Sequence, residues 1–596
     1  MEQELQSMLQ DGDYAGAAGS MVSQIEDLLA TDPQYVKELL ARFPVNFSNK
    51  SADWQFMFAM ILATENKNDQ ALGALEQARH IYQFEAKNSS MAVRCIIESA
   101  HLYYVKEEFH MAFYVLSELA KPLLDRPTGI EANVHALYLR EMAQIYIDTG
   151  RLSSGGSLAQ DALYRFRDIG NQLEDARTNL LLAIIDQQKG DYQSMGNRLQ
   201  RARHLLYAAA PGTKWREIVQ TFNLETHLHW YQGNLAQATE VAKRWIQESQ
   251  RSRSGMQPVF AHTVMGNIHR ALGAYRLAED EYEIARTQAT EKGYLLFTPW
   301  LGVQTGWLHL LEGDYSAARI LIQKSLETKD KGQAISFGVF LSVLNMLERR
   351  FEVAKNQMIE AFMFYSESGD NIAVCGIRFN LAYAYLRLGS PELAAEMLRT
   401  GLAWLTEARV DYFPLWWHPE IMTELCCFAI EENIYPDLVE RILNRHLLPQ
   451  HSNRLRTLLS SDNVAVRVRV NHLLNSAEGN AFPELEEIKD PVIKKVLEDR
   501  LLDGRLRRDS FVKLRARLRT RNTRKSDSAT IIAVFALYIE GVPTSAIHSH
   551  IERSSVTVSR YVNDIYTVFG LPKEGFTGTL ARREALIALV RDEGYI

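Results

Sequence analysis

The sequence predicts an all-α fold, a superhelix of helical hairpins followed by a small helix-turn-helix domain. Three observations carry the prediction. A short glycine-centred phrase recurs with a period near 40 residues through most of the chain. The apolar residues around each copy fall three and four apart, the spacing of one helix face. Residues 526–596 break into short helical patterns at Gly541-Val542-Pro543 and at Arg553-Ser554-Ser555.

Composition bounds the class. A chain of 596 residues exceeds one compact core, so several domains or one long array are expected. Its 46% hydrophobic and 23% charged residues are those of an ordinary globular protein. No apolar run approaches the ~18 residues of a membrane span, so no membrane partner is expected. The N-terminus, MEQELQSMLQDGDYAGA, carries acids and lacks the basic start of a signal peptide. Cys95, Cys375, Cys426 and Cys427 make no disulfide framework, and the adjacent pair in LCCFAI reads as buried helix residues. The cytoplasm is the expected compartment. Charge is split along the chain. Leu501–Ile596 holds 16 Lys/Arg and 10 Asp/Glu, a balance of +6, so residues 1–500 carry −13 against the overall −7. An acidic body with a basic tail points to a nucleic-acid contact at the C-terminus.

The repeat comes first in the chain. Gly-Asp-Tyr occurs at Gly12–Tyr14, Gly190–Tyr192 and Gly313–Tyr315, with related phrases at Gly233, Gly273 and Gly389. A small residue five positions after the glycine aligns the copies at Ala17, Ala71, Ala112, Gly155, Met195, Ala238, Ala278, Ala318, Ala354 and Ala394. After the first pair the spacings are 41, 43, 40, 43, 40, 40, 36 and 40. Glycine ends one helix in the left-handed cap, and the aromatic two residues on starts the next. The small residue lets the two helices cross closely, with Gly306 and Ala318 a contact pair. One hairpin cannot bury its own apolar face, so stacking supplies the core. The copies around Asn66 and Arg349 lack the glycine, which leaves their boundaries open.

These hairpins resemble tetratricopeptide repeats. Phe379–Leu398 carries the pattern through Ala382, Tyr385, Gly389 and Ala394, and Val264–Ala285 through Gly266, Gly273, Tyr275, Ala278 and Ala285. The period exceeds the family's usual length and is similar to the long hairpins of large bacterial regulators of the MalT type. The resemblance implies that the first helices line a concave groove for a peptide, small-molecule or protein effector. Its groove positions fall on Arg140, Gln144, Gln187, His227, Trp230, Thr263, Asn267, Arg270, Trp307 and Tyr383. Asn267 and Arg270 have the fixed hydrogen-bonding geometry that holds a backbone amide or a carboxylate.

The array is expected to span residues 1–450, with Trp416 and Trp417 of DYFPLWWH (Asp411–His418) closing its last hairpin. Residues 451–525 read as a helical connector. LLSSDNVAVRVRVNHLLNSAE within it resembles a HEAT repeat through Asp462, Val466 and Arg467. Its end, Arg505–Lys525, is a basic hinge with ten Lys/Arg against one acid, Asp509. Leu506, Phe511, Leu514 and Leu518 are helically spaced there. Arg515, Arg517, Arg519 and Arg521 either track DNA phosphates, pair with the acidic array, or belong to a solvated linker.

Residues 526–596 form the last domain. Its first helix is expected over Ile531–Glu540, stopped by Gly541. A second starts at Thr544 and runs to about Glu552. A third runs from Val556 to about Phe569 behind a serine cap. Ile547, Ile551, Val558, Val562, Ile565 and Phe569 form the buried face, leaving Ser555, Ser559, Arg560 and Asn563 outside. His548 and His550 point about 200° apart on a helix and cannot share a metal; no cofactor is expected.

This arrangement is similar to the LuxR-type helix-turn-helix, through Gly541, Ile547, Ser554, Thr557, Val558, Ile565 and Gly570. Ala581–Ile596, with Arg583, Glu584 and Ala585, matches the closing helix. Ser559 stands where the family usually has Lys, Tyr561 where it has His, and Arg553 replaces a hydrophobic residue. The Pro572–Leu580 connection is longer than usual. The resemblance implies a major-groove reader. Ser559, Arg560 and Asn563 would face bases, and Arg553 and Thr557, beside Ser555, would face phosphates. It further implies double-stranded DNA as a partner, a homodimer whose contacts lie on the closing helix, and contact with RNA polymerase.

MalT-like regulators usually carry a nucleotide-binding module, yet no Gly-Lys dipeptide of a phosphate loop occurs in this sequence. C-x-x-C, H-E-x-x-H and G-x-S-x-G are likewise missing, so no enzyme is expected. The expectation is a transcription regulator whose array controls a C-terminal reader. The alternative is an adaptor whose last domain binds protein.

Overall fold

The computed structural model describes residues 2–25, 28–29, 32–106, 108–125, 130–208, 215–251, 256–294, 297–327, 331–447, 452–461, 463–477, 488, 490–502, 508–520, 528–540, 542–571 and 579–592. These are helices and turns, with no strand among the described residues. The fold is an all-α superhelix of hairpins with further helices after it. No helix among the described residues is long and apolar enough to cross a membrane. The chain divides into two compact units, residues 1–389 with 404–416, and residues 390–403 with 417–596.

The first unit opens with the hairpin α1 (Glu2–Gln10) and α2 (Tyr14–Ser23), then α3 (Pro33–Leu40). The pairs α4 (Ala52–Thr64) with α5 (Asn68–His80), α6 (Ser89–Val105) with α7 (Phe109–Tyr114), and α8 (Ala132–Asp148) with α9 (Leu152–Asp168) follow. Next come α10 (Gln172–Lys189) with α11 (Tyr192–Ala208), α12 (Trp215–Tyr231) with α13 (Leu235–Arg251), and α14 (Gln257–Ala271) with α15 (Tyr275–Glu291). The run ends with α16 (Thr298–Leu311) and α17 (Tyr315–Ser325), α18 (Lys331–Leu347) and α19 (Phe351–Ser368), and α20 (Asn371–Arg387). Helix α21 (Pro391–Glu407) crosses the boundary between the units.

Every alignment anchor from Ala17 to Ala394 is the fourth residue of a second helix, and every one is buried. The physical content of Gly-Asp-Tyr is visible at each turn. Gly313 has φ +84, which lets the Asp314 N–H reach back to His309 O at 2.9 Å and close the first helix. The Asp314 carboxylate then accepts from Ala317 N–H at 3.0 Å and opens the second helix, which begins at Tyr315. Asn66 and Arg349 hold the same position without glycine, at φ +59 and +64. Lys67 and Arg350 make the equivalent bonds, to Leu62 O at 2.9 Å and Asn345 O at 2.8 Å. The open boundaries of those two copies therefore follow the rule of the others. Close crossing is equally concrete: a Cβ on Gly306 would lie 3.3 Å from Ala318 O and 2.9 Å from the Ile322 side chain.

The array turns far enough to meet itself. Asn371 Nδ2, at the start of α20, donates to Lys189 O at 3.3 Å, across 182 residues. Trp404 covers Gly190 so closely that no side chain would fit there.

In the second unit, α22 (Pro419–Glu431), α23 (Pro436–Ile442), α24 (Ser452–Thr457) and α25 (Val464–Ala477) precede the C-terminal core. Asp462, named in the HEAT resemblance, lies outside the described residues; Val466 is buried. The core itself begins earlier than residue 526. Ile493 and Leu497 of α26 (Pro491–Leu502), and Phe511, Leu514 and Leu518 of α27 (Arg508–Thr520), are buried in it. They pack with residues of α28 (Ser528–Ile539), α29 (Thr544–His550), α30 (Ser555–Val568) and α31 (Thr579–Asp592). The basic stretch is thus a packed helix of this domain and no hinge over 508–520, because its apolar seam outweighs its basic composition. Helix α29 stops short of Glu552, which takes φ +52 in the turn before α30. Gly541 and Leu506 lie outside the described residues.

Candidate functional site

Two places concentrate functional chemistry, one in each unit. The first is the inner side of the array, lined by first helices. A charged ladder runs along three of them. Arg140 on α8 pairs with Glu141 and with Glu174 of α10, Arg177 pairs with Glu174 at 2.6 Å, and Arg177 reaches Glu217 of α12 at 2.8 Å. Burial alone would raise the Glu141 carboxyl, but Arg140 and His101 hold it well below the usual range. Arg140 is therefore committed within the array. Gln144 donates to Asp148 at 2.6 Å, and Gln187 offsets part of the rise that burial imposes on the Tyr231 hydroxyl.

The expected groove is largely full. Trp230, Thr263, Asn267 and Trp307, expected to line the groove, are buried by the protein's own side chains. Thr263 satisfies itself on Val259 O at 2.8 Å, and Asn267 accepts the Tyr282 hydroxyl at 2.7 Å. Trp230 stacks on Tyr231 with ring centres 5.2 Å apart, beside the His227 ring, whose imidazole burial pushes below its ordinary pKa. Trp307 packs edge-on against Phe340 at 5.3 Å. Arg270 donates to Gln304 at 2.7 Å, and Tyr383 meets Phe351 at 6.2 Å.

What fills the interior is the segment after α21. Asp411, Tyr412, Phe413, Pro414 and Trp416 are buried. Burial pushes the Tyr412 hydroxyl up to about 12, with Arg270 and Trp230 acting in the opposite direction. Phe413 stacks on Phe379 of α20 at 4.8 Å, and Trp416 meets Phe340 of α18 and Tyr365 of α19, each at 6.0 Å. Asn380 donates to Trp416 O at 3.3 Å. The segment thus does more than close its own hairpin. Nearby, Asp370 accepts from Ala373 N–H at 2.9 Å at the start of α20. Burial raises its carboxyl to about 6 against the pull of the Ala373 and Ile372 amides.

The second place is the outer face of α30. Ser554 Oγ accepts from Thr557 N–H at 3.2 Å and starts the helix where the sequence put it. Ile547, Ile551, Val558, Val562, Ile565 and Phe569 are all buried. Tyr561 and Tyr566 are buried with them, and Tyr566 shares a 2.7 Å hydroxyl contact with Tyr538. Ser555, Val556, Ser559, Arg560 and Asn563 are exposed on the opposite face. Arg560 lies 5.1 Å from the Tyr561 ring, a cation–π contact. The single acid of the helix, Asp564, is half-buried. Thr557 Oγ1 is engaged with Ser554 Oγ at 2.8 Å.

Arg553 differs from expectation. It pairs with Asp490, whose carboxylate also accepts from Val492 and Ile493 N–H at 3.0 and 3.2 Å and starts α26. Of the basic residues of α27, Arg515 stands over Phe511 at 5.9 Å and Arg517 over Phe569 at 4.6 Å. Arg519 lies in α27, and Arg521 lies outside the described residues. On α31, Arg582 and Arg583 sit over Tyr566 and Tyr538 at 3.8 and 4.7 Å, and Glu584 is exposed. His548 and His550 are both exposed, and no group of ligands for a metal ion occurs among the described residues.

No family model matches the sequence, and no curated protein matches it. Solved structures do. The apo form of RapI aligns at 12% identity, covering 60% of this chain and 98% of its own, with a TM-score of 0.40. A Rap protein complexed with competence and sporulation factor aligns at 12% over 60% of this chain and 98% of its own, with a TM-score of 0.46. The Cut9–Hcn1 hetero-tetramer of APC/C aligns at 14% over 79% of this chain and 95% of its own, with a TM-score of 0.35. At these identities and scores the likeness says nothing about what this chain binds.

Proposed function

We propose that the protein is a DNA-binding transcription regulator whose repeat array senses a peptide, small molecule or partner protein and controls the helix-turn-helix reader. The observation that carries the proposal is the outer face of α30. Ser555, Ser559, Arg560 and Asn563 project together from a helix whose other side is fixed in the core. Arg can bind guanine bidentately and Asn adenine, so this face has the donors and acceptors of a major-groove reader. The basic balance of the C-terminal region supplies attraction to phosphates. One such reader covers one half-site, so the functional form is a homodimer, and RNA polymerase is a downstream partner.

A salt titration tests the electrostatic half of this reading. The full chain binds a random-sequence duplex with an affinity that falls linearly as the logarithm of salt rises. Absence of any duplex binding at low salt by the full-length protein favours the adaptor alternative.

A further inference from the structure

The array's interior is occupied by its own chain, and the occupant has the character of a ligand. Tyr412 is influenced by Trp230 of α12 and Arg270 of α14, residues 182 and 142 positions earlier. Trp416 contacts α18 and α19, and Phe413 and the Trp416 carbonyl contact α20. A six-residue stretch therefore packs on α18, α19 and α20 and lies within the electrostatic reach of Trp230 on α12 and Arg270 on α14, as a bound peptide would.

Two further observations separate this stretch from ordinary core. It is bounded by Arg409 and Trp416, both non-glycine residues at φ +57. Side chains in that region are strained, so both ends of the stretch are held there by their surroundings. Moreover, the Trp416 indole N–H and the Asn380 Oδ1 are buried and find no hydrogen-bond partner among the described residues. Buried polar atoms are normally paired, so the fit leaves a donor and an acceptor unused at one place.

We propose that Asp411–Trp416 is a displaceable occupant of a peptide site, and that the partner it stands in for is an extended segment with adjacent aromatic residues and an acid or phenol for Arg270. This rests on the array being the sensing element and is independent of DNA binding. Displacement would free the segment and the α20 surface beneath it, giving the array two states that a ligand can bias.

Two measurements on the full chain test it. In the wild type, the buried amides of 410–416 should exchange hydrogen at least ten-fold faster than those of α20. In a Tyr412→Ser, Trp416→Ser variant with unchanged helical circular dichroism, a labelled synthetic peptide of residues 409–417 should bind at least ten-fold more tightly than to wild type. Adding Arg270→Ala should remove that gain. Amides as protected as those of α20 overturn displaceability and leave other partners of the array untouched. Fast exchange without any gain in peptide binding overturns both this proposal and the array's role as a peptide sensor.

Discussion

Asp370 illustrates how a single half-buried group sets a measurable property. Its folded pKa of about 6 lies above the ordinary 3.8, because burial disfavours the anion more than the helix amides favour it. The folded protein therefore holds that proton more tightly than the unfolded chain. The contribution is full below about pH 4 and is lost as pH rises through 6, on the order of 3 kcal/mol. Asp370→Asn keeps the cap and removes the charge, so thermal unfolding of the variant should lose this decline between pH 4 and 6. An unchanged profile would show that Asp370 is not its source. The Arg553–Asp490 pair makes a second residue-scale prediction. Asp490→Asn retains an acceptor for α26 but releases Arg553, so affinity for any duplex should rise roughly two- to five-fold, as an exposed pair allows. A fall in affinity would mean that the pair positions the reader. Sequence periodicity alone identified Ser559, Arg560 and Asn563 as an outward face. It could not show Arg553 engaged, since the partner carboxylate is 63 residues away. Nor could it bury Tyr566, whose hydroxyl reads as polar until Tyr538 and Arg582 surround it.

At the level of the helical hairpin, turn chemistry decides. Arg349 sits at φ +64 and is exposed, so it bears the strain of a left-handed residue with its side chain in solvent. Arg349→Gly should therefore stabilise the array by about 1 kcal/mol, read from denaturant midpoints; destabilisation would mean the side chain has a packing role. Gly306→Val forces a side chain into α17 and should cost about 1–3 kcal/mol in the same measurement. The glycine-bearing turns and buried anchors were legible because each needs a particular residue type. The turns at Asn66 and Arg349 were not, because the bond that defines them joins backbone to backbone. Helix α27 misled for a different reason. Phe511, Leu514 and Leu518 sit in a basic stretch that reads equally as tracking phosphates, pairing with the array or lying solvated, until their face is seen buried with α28.

On the scale of the whole chain, the sequence foretold an all-α repeat array with a helix-turn-helix after it, and the structure has that order. The interior of the array was less legible. Groove positions transferred from the tetratricopeptide pattern assume an open concave surface, but Trp230 packs on Tyr231 of its own helix and Trp307 on Phe340 of the next hairpin, in an array that returns upon itself where Asn371 meets Lys189. No local pattern encodes that return, which depends on the accumulated rotation of successive hairpins. The functional reading joins the two units through one output, sequence-specific DNA binding by α30. Selection of bound sequences from a random duplex pool by the full-length protein is the most direct measurement of it. Wild type should enrich a defined half-site, and an Arg560→Ala, Asn563→Ala variant of equal stability should retain only salt-sensitive background binding. Enrichment of the same background by both proteins would contradict the reading.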